Sequence, residues 1–144
     1  MSKYKLICWN VNGIRAVLKK NFWEIVHDLN PDLIALQETK ADDSIMAQNI
    51  LQHEHYKAYW HSCSLKKGYS GVATLSKIEA KEYLQGFNLP QFDAEGRVII
   101  TKFDDFTLLN IYFPNGGQGS HRVEYKINFY NACLEYMEKL RKAG

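Results

Sequence analysis

The chain has 144 residues, of which 46% are hydrophobic and 13% aromatic. This composition is typical of one compact domain and excludes a disordered chain. The net charge of +2 does not by itself indicate a nucleic-acid-binding protein, although local basic clusters can still follow phosphates. Three widely spaced cysteines without a Cys-x-x-Cys pair argue against a disulfide framework and a zinc site.

The first predicted strand covers residues 4–9 and ends in a loop that contains Asn10, Asn12 and Gly13. Its apolar run is too short for a signal peptide or a membrane span, so we expect a cytoplasmic location and no membrane partner. Apolar residues at three- and four-residue spacings then predict an amphipathic helix over residues 17–29, which Asn30-Pro31 ends.

A second strand is predicted at residues 33–36, where a continuous apolar run indicates burial on both faces. Glu38 lies just beyond its end. In a strand-helix-strand unit the functional loops gather where the strands end, so we expect Asn12 and Glu38 at the same edge. A carboxylate at that position suits Mg²⁺, which prefers oxygen ligands. A solvated glutamate in a connecting loop is the alternative interpretation.

The middle of the chain predicts a helix from Asp42 or Asp43 to about residue 51 and an aromatic strand over residues 56–61. His53, His55 and His61 lie in this region. Their spacing invites a metal-site hypothesis, but no cysteine or acidic pair completes the ligand set. We therefore expect surface or packing histidines.

Two glycine-containing loops are candidates for phosphate contact. The first, residues 66–71, carries lysines and Tyr69 and leads into a strand at residues 72–75; a hairpin turn with solvated lysines explains it equally well. The second, residues 112–120, follows a predicted hairpin of strands 97–103 and 107–112. A long connection is expected at residues 81–90.

A final helix is predicted from Ser120 or His121 to near the end of the chain. One of its faces is traced by apolar side chains, namely Val123, Ile127, Tyr130, Leu134, Met137 and Leu140. We expect this helix, like the one over residues 17–29, to cover a sheet.

Five short motifs together resemble the exonuclease III family of apurinic/apyrimidinic (AP) endonucleases over essentially the whole chain. They are Trp9-Asn10-Val11-Asn12-Gly13-Ile14-Arg15-Ala16, Leu36-Gln37-Glu38-Thr39-Lys40, Gly68-Tyr69-Ser70-Gly71-Val72, Glu95-Gly96-Arg97-Val98 and Tyr112-Phe113-Pro114-Asn115. Each motif is weak alone, whereas five in register are specific. Tyr-x-Pro-Asn separates this family from the lipid and inositol phosphatases of the same broad fold. The resemblance implies an α/β fold in which residues 1–144 form the N-terminal half of a two-layered, DNase I-like α/β sandwich.

The same resemblance implies cleavage of double-stranded DNA 5′ to abasic sites and trimming of 3′ ends, with Mg²⁺ or alternatively Mn²⁺. It makes Glu38 the principal metal ligand, and Asn10 and Asn12 donors of oxygens to the metal or of hydrogen bonds around the phosphate. It places the Tyr112 phenol near that phosphate, so these four residues are the predicted catalytic set. The positions predicted to hold the DNA backbone are Lys40, Lys67, Gly68, Tyr69, Ser70, Arg97, Asn115 and Gln118. At Gln118 the family often carries an arginine, which implies a weaker grip on the complementary strand.

Two further family motifs, Gly-Asp-x-Asn and a terminal Ser-Asp-His, do not occur in this sequence. The resemblance assigns to them the aspartate that handles the nucleophile or leaving group and the base-like Asp/His pair. We therefore expect the segment alone to be inactive or nearly so. The alternatives are a non-enzymatic half-domain that pairs with itself or a complementary chain, and a nuclease of the same fold that cleaves RNA or another phosphodiester. Tyr-x-Pro-Asn argues against the RNA hypothesis.

The half-sandwich interpretation also predicts how the chain behaves in solution. If each half supplies one sheet, this chain alone exposes an apolar sheet face larger than soluble monomers usually show. Periodicity does not assign the strand residues to a face, because the runs are apolar on both sides. These residues are Leu6, Cys8, Ile34, Leu36, Val72, Thr74, Ile99, Leu109 and Ile111. We expect a complementary fragment, self-association or aggregation.

Overall fold

A computed structural model describes residues 3–144, and within that range the chain forms seven strands and five helices. In chain order they are β1 (Leu6–Asn10), α1 (Ile14–Leu18), α2 (Phe22–Leu29), β2 (Leu33–Gln37), α3 (Asp43–Met46), β3 (Lys57–His61), β4 (Val72–Ser76), β5 (Glu82–Gln85), α4 (Pro90–Asp93), β6 (Val98–Lys102), β7 (Thr107–Ile111) and α5 (Ser120–Ala143). No helix in the described range is long and apolar enough to cross a membrane.

The strands form two sheets that pack face to face. The first has the order β1-β2-β4-β3 and the second the order β5-β6-β7. β1 pairs with β2 in parallel, and the other pairs are antiparallel. β6 contacts β3 and β4, and β7 contacts β2 and β4. The predicted α/β sandwich is confirmed. The expectation that this chain supplies only one sheet is wrong, because its residues 82–111 form a second, three-stranded sheet.

The outer face of the first sheet carries the main apolar core. Ile34 and Leu36 of β2 point to this side and pack with Phe22 and Val26 of α2. Ala73 and Leu75 of β4 belong to the same cluster. The amphipathic segment after β1 thus covers this sheet as predicted, but as two helices. The residues between them, Lys19 to Asn21, form a turn.

Polar as well as apolar side chains fill the space between the two sheets. Asn110 of β7 is fully buried, and its Nδ2 donates to the carbonyls of Ala73 and Leu36 at 2.9 and 3.2 Å. Its Oδ1 accepts from Gln37 Nε2 at 2.8 Å. Because buried amides are costly unless bonded, this arrangement fixes how β7 lies on β2 and β4. Val72 and Ile99 supply the apolar contacts beside it.

The second sheet includes a strand that the sequence did not indicate. Residues 81–90 were expected to be a connection, but β5 pairs with β6 from Glu82 opposite Lys102 to Gln85 opposite Ile99. The strand has four residues, of which Glu82, Tyr83 and Gln85 are exposed. Such a short edge strand lacks the apolar pattern on which the prediction depended. The β6–β7 hairpin is confirmed.

Helix α5 covers the second sheet, but not with the face of the predicted apolar row. Phe129 and Cys133 are its buried residues, and they pack with Val98 and Ile100 of β6. The row from Val123 through Met137 is instead exposed, with 43–56% of the surface of its five large apolar residues accessible. The helix is apolar on two faces, and sequence periodicity cannot tell which one contacts the sheet.

The histidines of the middle segment pack against neighbouring side chains and backbone. No group of three or more His, Cys, Asp or Glu side chains suited to a metal lies among residues 3–144. The ring of His53 stacks on Trp23 at 4.3 Å between centroids, and its Nε2 lies 3.0 Å from that of His27. The His61 ring is bonded to the carbonyl of Val98 at 2.7 Å. His53 and His61 therefore have packing roles, as expected.

The Asn110 bonds predict a clear stability effect. Asn110→Ala leaves Gln37 without its partner between the sheets, so we expect a loss of about 2 kcal/mol in the free energy of unfolding. Chemical denaturation measures it. The matched control is Asn128→Ala on the exposed side of α5, expected to change the same quantity by less than about 0.5 kcal/mol. Equal effects of the two substitutions would contradict the role of Asn110.

Candidate active site

Three loops meet at the end of β2, and backbone hydrogen bonds join them. The loop after β1 is held by Gly13 N–H, which donates to the Glu38 carbonyl at 2.7 Å. The loop before β4 is held by Lys40 N–H, which donates to the Ser70 carbonyl at 2.9 Å. These bonds continue the sheet pairing past the strand ends. The predicted meeting of the Asn10–Gly13 loop with Glu38 at one edge is therefore confirmed.

The backbone at this edge is strained. Asn12, Glu38, Lys40 and Ser70 all adopt left-handed conformations, with φ of 46, 53, 49 and 51°. The other non-glycine residues with positive φ in the described range are asparagines, which tolerate this conformation well. Glutamate and lysine tolerate it poorly, so the surrounding bonds must hold Glu38 and Lys40 in place. Strain of this kind concentrates at functional sites.

The Glu38 carboxylate is the centre of the cluster. Its Oε1 accepts from Asn10 Nδ2 at 2.7 Å, and its Oε2 lies 3.3 Å from the Lys40 ammonium. Asn10 Oδ1 accepts in turn from the backbone N–H of Asn12 at 3.1 Å, which orients the amide. Burial opposes ionisation, yet the donors Asn10, Tyr112 and Lys40 outweigh it and lower the pKa of Glu38. The group is a carboxylate at neutral pH.

Tyr112 follows β7 and brings its phenol to the same carboxylate. Its backbone N–H donates to the Arg97 carbonyl at 2.8 Å, which places it beside the start of β6. Burial, together with the negative charge of Glu38, raises the pKa of Tyr112. The phenol therefore keeps its proton at neutral pH and remains a hydrogen-bond donor.

A basic cleft of about 500 Å³ opens beside this cluster. Arg15 of α1 and Lys19, which directly follows that helix, line one side, and Lys40 and Gly68 line another. Sequence reasoning missed Arg15 and Lys19 as candidate ligands. Their four-residue spacing at the start of a helix that follows the Asn10–Gly13 loop was the available signal. The cleft provides cationic groups next to a carboxylate, which suits an anionic ligand.

The residues of loop 66–71 that are predicted to bind DNA differ in how far they are exposed. Lys67 and Gly68 are exposed, and Tyr69 is half-buried. Ser70 is buried, and its hydroxyl has no hydrogen-bond partner among the described residues. A contact between that hydroxyl and DNA is therefore not favoured, whereas the backbone of the loop holds Lys40 in position.

Arg97 is an interior residue, with 3% of its surface exposed. It bonds to Glu95 and to the Tyr69 hydroxyl, at 2.6 and 2.9 Å. The sequence resemblance predicts that Arg97 helps to hold the DNA backbone. Its contacts indicate a residue that supports Tyr69 and Tyr112, and direct contact with DNA stays a prediction.

The glycine-rich loop before α5 places the remaining predicted residues at the surface. Asn115 and Gln118 are exposed. Asn115 Oδ1 accepts only from its own loop, from Gly117 N–H at 3.4 Å. Within residues 3–144 neither side chain hydrogen-bonds to Glu38 or Tyr112. Their availability is consistent with a ligand contact, which stays a prediction.

The donor set fits a hard divalent cation held mainly by one carboxylate. Glu38 has the charge and the oxygens that Mg²⁺ prefers, and Mg²⁺ often uses one or two carboxylates together with waters and phosphates. The oxygens of Asn10 and Asn12 are already engaged, since Asn12 Oδ1 accepts from Lys40. The geometry thus favours Glu38 as a ligand and Asn10 as the residue that orients it. Ligation by the two asparagines stays a prediction.

Two relatives and one solved structure show what the chain is similar to. It is 41% identical over 137 residues to an exodeoxyribonuclease of Bacillus subtilis, covering 94% of this chain and 53% of that protein. It is 37% identical over 143 residues to a DNA-(apurinic or apyrimidinic site) endonuclease of Dictyostelium discoideum, covering 96% and 38%. The structure of a Neisseria 3′ phosphatase bound to a product DNA hairpin matches with a TM-score of 0.84 and 27% identity, covering 97% and 53%.

The chain thus spans about half the length, or less, of these proteins. The model of the endonuclease/exonuclease/phosphatase family matches residues 7–144, nearly the whole chain. This match and the names of the relatives confirm the resemblance that the five motifs indicated. The chain belongs to the endonuclease/exonuclease/phosphatase family.

Proposed function

We propose that this chain is one half of the catalytic domain of a DNA-repair nuclease of exonuclease III type. The complete enzyme hydrolyses phosphodiester bonds 5′ to abasic sites and trims 3′ ends, with Mg²⁺ as the metal and Mn²⁺ as a substitute. The proposal is supported mainly by Glu38, whose backbone is strained and whose carboxylate is surrounded by Asn10, Lys40 and Tyr112. This cluster lies beside a basic cleft. Relatives named as an exodeoxyribonuclease and an AP endonuclease support the choice of DNA.

Each residue of the cluster has a part in this proposal. Asn10 orients the Glu38 carboxylate through the 2.7 Å bond to Oε1. A metal held by Glu38 would supply Lewis-acid stabilisation of the negative charge that grows on the phosphate oxygens. Tyr112, protonated at neutral pH, donates a hydrogen bond to one of those oxygens. Lys40, Arg15 and Lys19 attract and hold the adjacent DNA backbone in the cleft.

The proposal assigns the group that activates water to a complementary half of the domain. Three features support a docking surface for that half. β7 lies at the edge of a three-stranded sheet that faces four strands. Leu6 in the outermost strand of the larger sheet is 45% exposed. The exposed apolar row on α5 adds a surface of the kind that marks an interface. A complementary polypeptide fits all three features.

Two other functions make different predictions. A nuclease of the same fold that acts on RNA would cleave an RNA duplex faster than a DNA duplex with an abasic site. A non-enzymatic half-domain would bind its complement without cleavage by the assembled pair. Comparing the two substrates with the complete protein separates these hypotheses from the proposal.

Glu38→Gln tests the metal ligand in the complete protein. The neutral amide keeps the shape but removes the charge, so we expect Mg²⁺-dependent cleavage to fall by about two orders of magnitude or more. Circular dichroism should show an unchanged fold, and DNA binding without metal should change little. The matched control is Glu124→Gln on the exposed side of α5, which should retain full activity. Near-normal turnover of Glu38→Gln at low Mg²⁺ would exclude Glu38 as the ligand.

Lys19→Ala tests the basic cleft, and Lys67→Ala tests the exposed loop that borders it at Gly68. If each lysine neutralises one DNA phosphate, each substitution weakens binding and reduces the slope of log K against log salt by about 0.9. Titration of an abasic-site duplex at several salt concentrations, with metal omitted, measures the slope. Lys142→Ala near the end of α5 is the control and should leave the slope unchanged. A slope unaffected by either test substitution would place the DNA elsewhere.

The isolated chain tests the docking surface. Because the apolar row on α5 and Leu6 of β1 are open to water, we expect it to self-associate or aggregate at micromolar concentration. Sedimentation velocity measures this, and Ile127→Glu with Leu134→Glu should shift the distribution toward monomer. A sharp monomer that unfolds cooperatively and binds no apolar dye would contradict the half-domain hypothesis.

A further inference from the structure

The Glu95-Gly96-Arg97 turn has a structural role that the proposed chemistry does not explain. It joins α4 to β6 and packs directly on the segment after β3. A Cβ at Gly96 would lie only 2.3 Å from the carbonyl carbon of Ser62 and 2.4 Å from the Cys63 nitrogen, and φ of Gly96 is +63°. No other residue fits at this position without movement of the backbone. The close approach fixes where Glu95 and Arg97 can point.

The Glu95 carboxylate bridges two arginines in the interior. It is 7% exposed, and Oε2 accepts from Arg97 Nε at 2.6 Å. Its Oε1 accepts from Arg122 Nη1 at 2.7 Å, and Oε2 accepts from Nη2 at 3.2 Å. Burial opposes ionisation, but the two guanidinium groups outweigh it and lower the pKa of Glu95. A buried carboxylate with this many charge-assisted bonds holds both partners in fixed positions.

Arg97, held by Glu95, in turn contacts Tyr69 and Tyr112. Its Nη2 donates to the Tyr69 hydroxyl at 2.9 Å, and its Nη1 donates to the Tyr112 carbonyl at 3.2 Å. The guanidinium carbon also lies 4.8 Å from the centre of the Tyr112 ring. Because a guanidinium is planar and rigid, its position limits the position of the Tyr112 ring. That ring carries the phenol beside Glu38.

Arg122 connects the Glu95 carboxylate to the start of α5. It lies in the first turn of α5, directly after the loop that contains Asn115 and Gln118. Its guanidinium also stacks on Tyr125, 4.3 Å from the ring centre. The start of α5 and the Tyr112 ring are therefore both tied to one carboxylate.

We propose that Glu95 is a positioning residue, which sets the Tyr112 phenol against Glu38 through Arg97 and fixes the start of α5 through Arg122. This proposal deepens the proposed function and rests on it for its effect on turnover. It differs from a merely structural ion pair in one respect: the effect of Glu95 on turnover passes through Tyr112. A structural pair would act on the whole site, with or without that phenol.

A double-mutant cycle in the complete protein tests this difference. Tyr112→Phe alone should lower kcat more than it raises KM, because the phenol acts on charge that develops in the transition state. Glu95→Gln should lower kcat about tenfold on an abasic-site duplex, with a smaller change in KM. In the Tyr112→Phe background the same substitution should change kcat less than about twofold. Equal losses in both backgrounds would overturn the proposal.

The matched control is Glu138→Gln. It makes the same chemical change at an exposed ion pair, in which Glu138 Oε2 accepts from Arg141 Nη2 at 2.8 Å. It should leave kcat unchanged in both backgrounds. If Glu95→Gln does not fold, Glu95→Asp replaces it in the cycle. That variant keeps the charge but is too short to bridge both arginines, so the same non-additive loss is expected.

Amide hydrogen exchange provides a readout that does not depend on nuclease activity. Exchange at the Tyr112 amide and at the first turn of α5 should become at least tenfold faster in the Glu95 variant, while β2 and β4 keep their protection. Exchange unchanged at both places would overturn the proposal even in an active enzyme. Faster exchange in a protein whose wild type cleaves no DNA would support the positioning role and contradict only the proposed function.

Discussion

The bond between Gln37 and Asn110 is the contact on which the arrangement of the two layers depends. Gln37 is the last residue of β2, and Asn110 is the last residue but one of β7 on the opposite sheet. The bond therefore fixes β7 relative to the end of β2, one residue before Glu38. Tyr112 is two residues beyond Asn110 and points to the same face of its strand by the alternation of a β-strand. A polar contact in the core thus sets the distance between the two groups of the candidate site.

The candidate site is assembled from loops that backbone hydrogen bonds tie to one another. Backbone bonds join the loops after β1, after β2 and before β4, and left-handed residues are held within them. The glycine-rich loop before α5 differs, since its exposed Asn115 bonds only within the loop. The Glu38 carboxylate is held by its neighbours, which is the kind of arrangement that places reacting groups accurately.

Much of this arrangement follows from sequence, and the failures have physical causes. The buried strand before Glu38 has a continuous apolar run, and the Asn10–Gly13 loop must follow its parallel neighbour, so their meeting is predictable. β5 is short and mostly exposed, and therefore carries no periodic signal. On α5 both faces are apolar, so sequence does not show which is covered. The position of Arg97 in the interior depends on Glu95 and Arg122, a partner 25 residues away that no local pattern connects to it.

The left-handed backbone lowers conformational stability at Glu38 and Lys40, the two positions that carry charged groups of the candidate site. Each non-glycine residue in that conformation costs about 1 kcal/mol relative to glycine. Selection for thermal resistance alone would therefore favour glycine at both positions. Such a protein would keep its sheets and lose the carboxylate and the ammonium that define the edge. The chemistry proposed for Glu38 and Lys40 would explain why glutamate and lysine occupy these positions, and the rest of the fold must then offset the conformational cost.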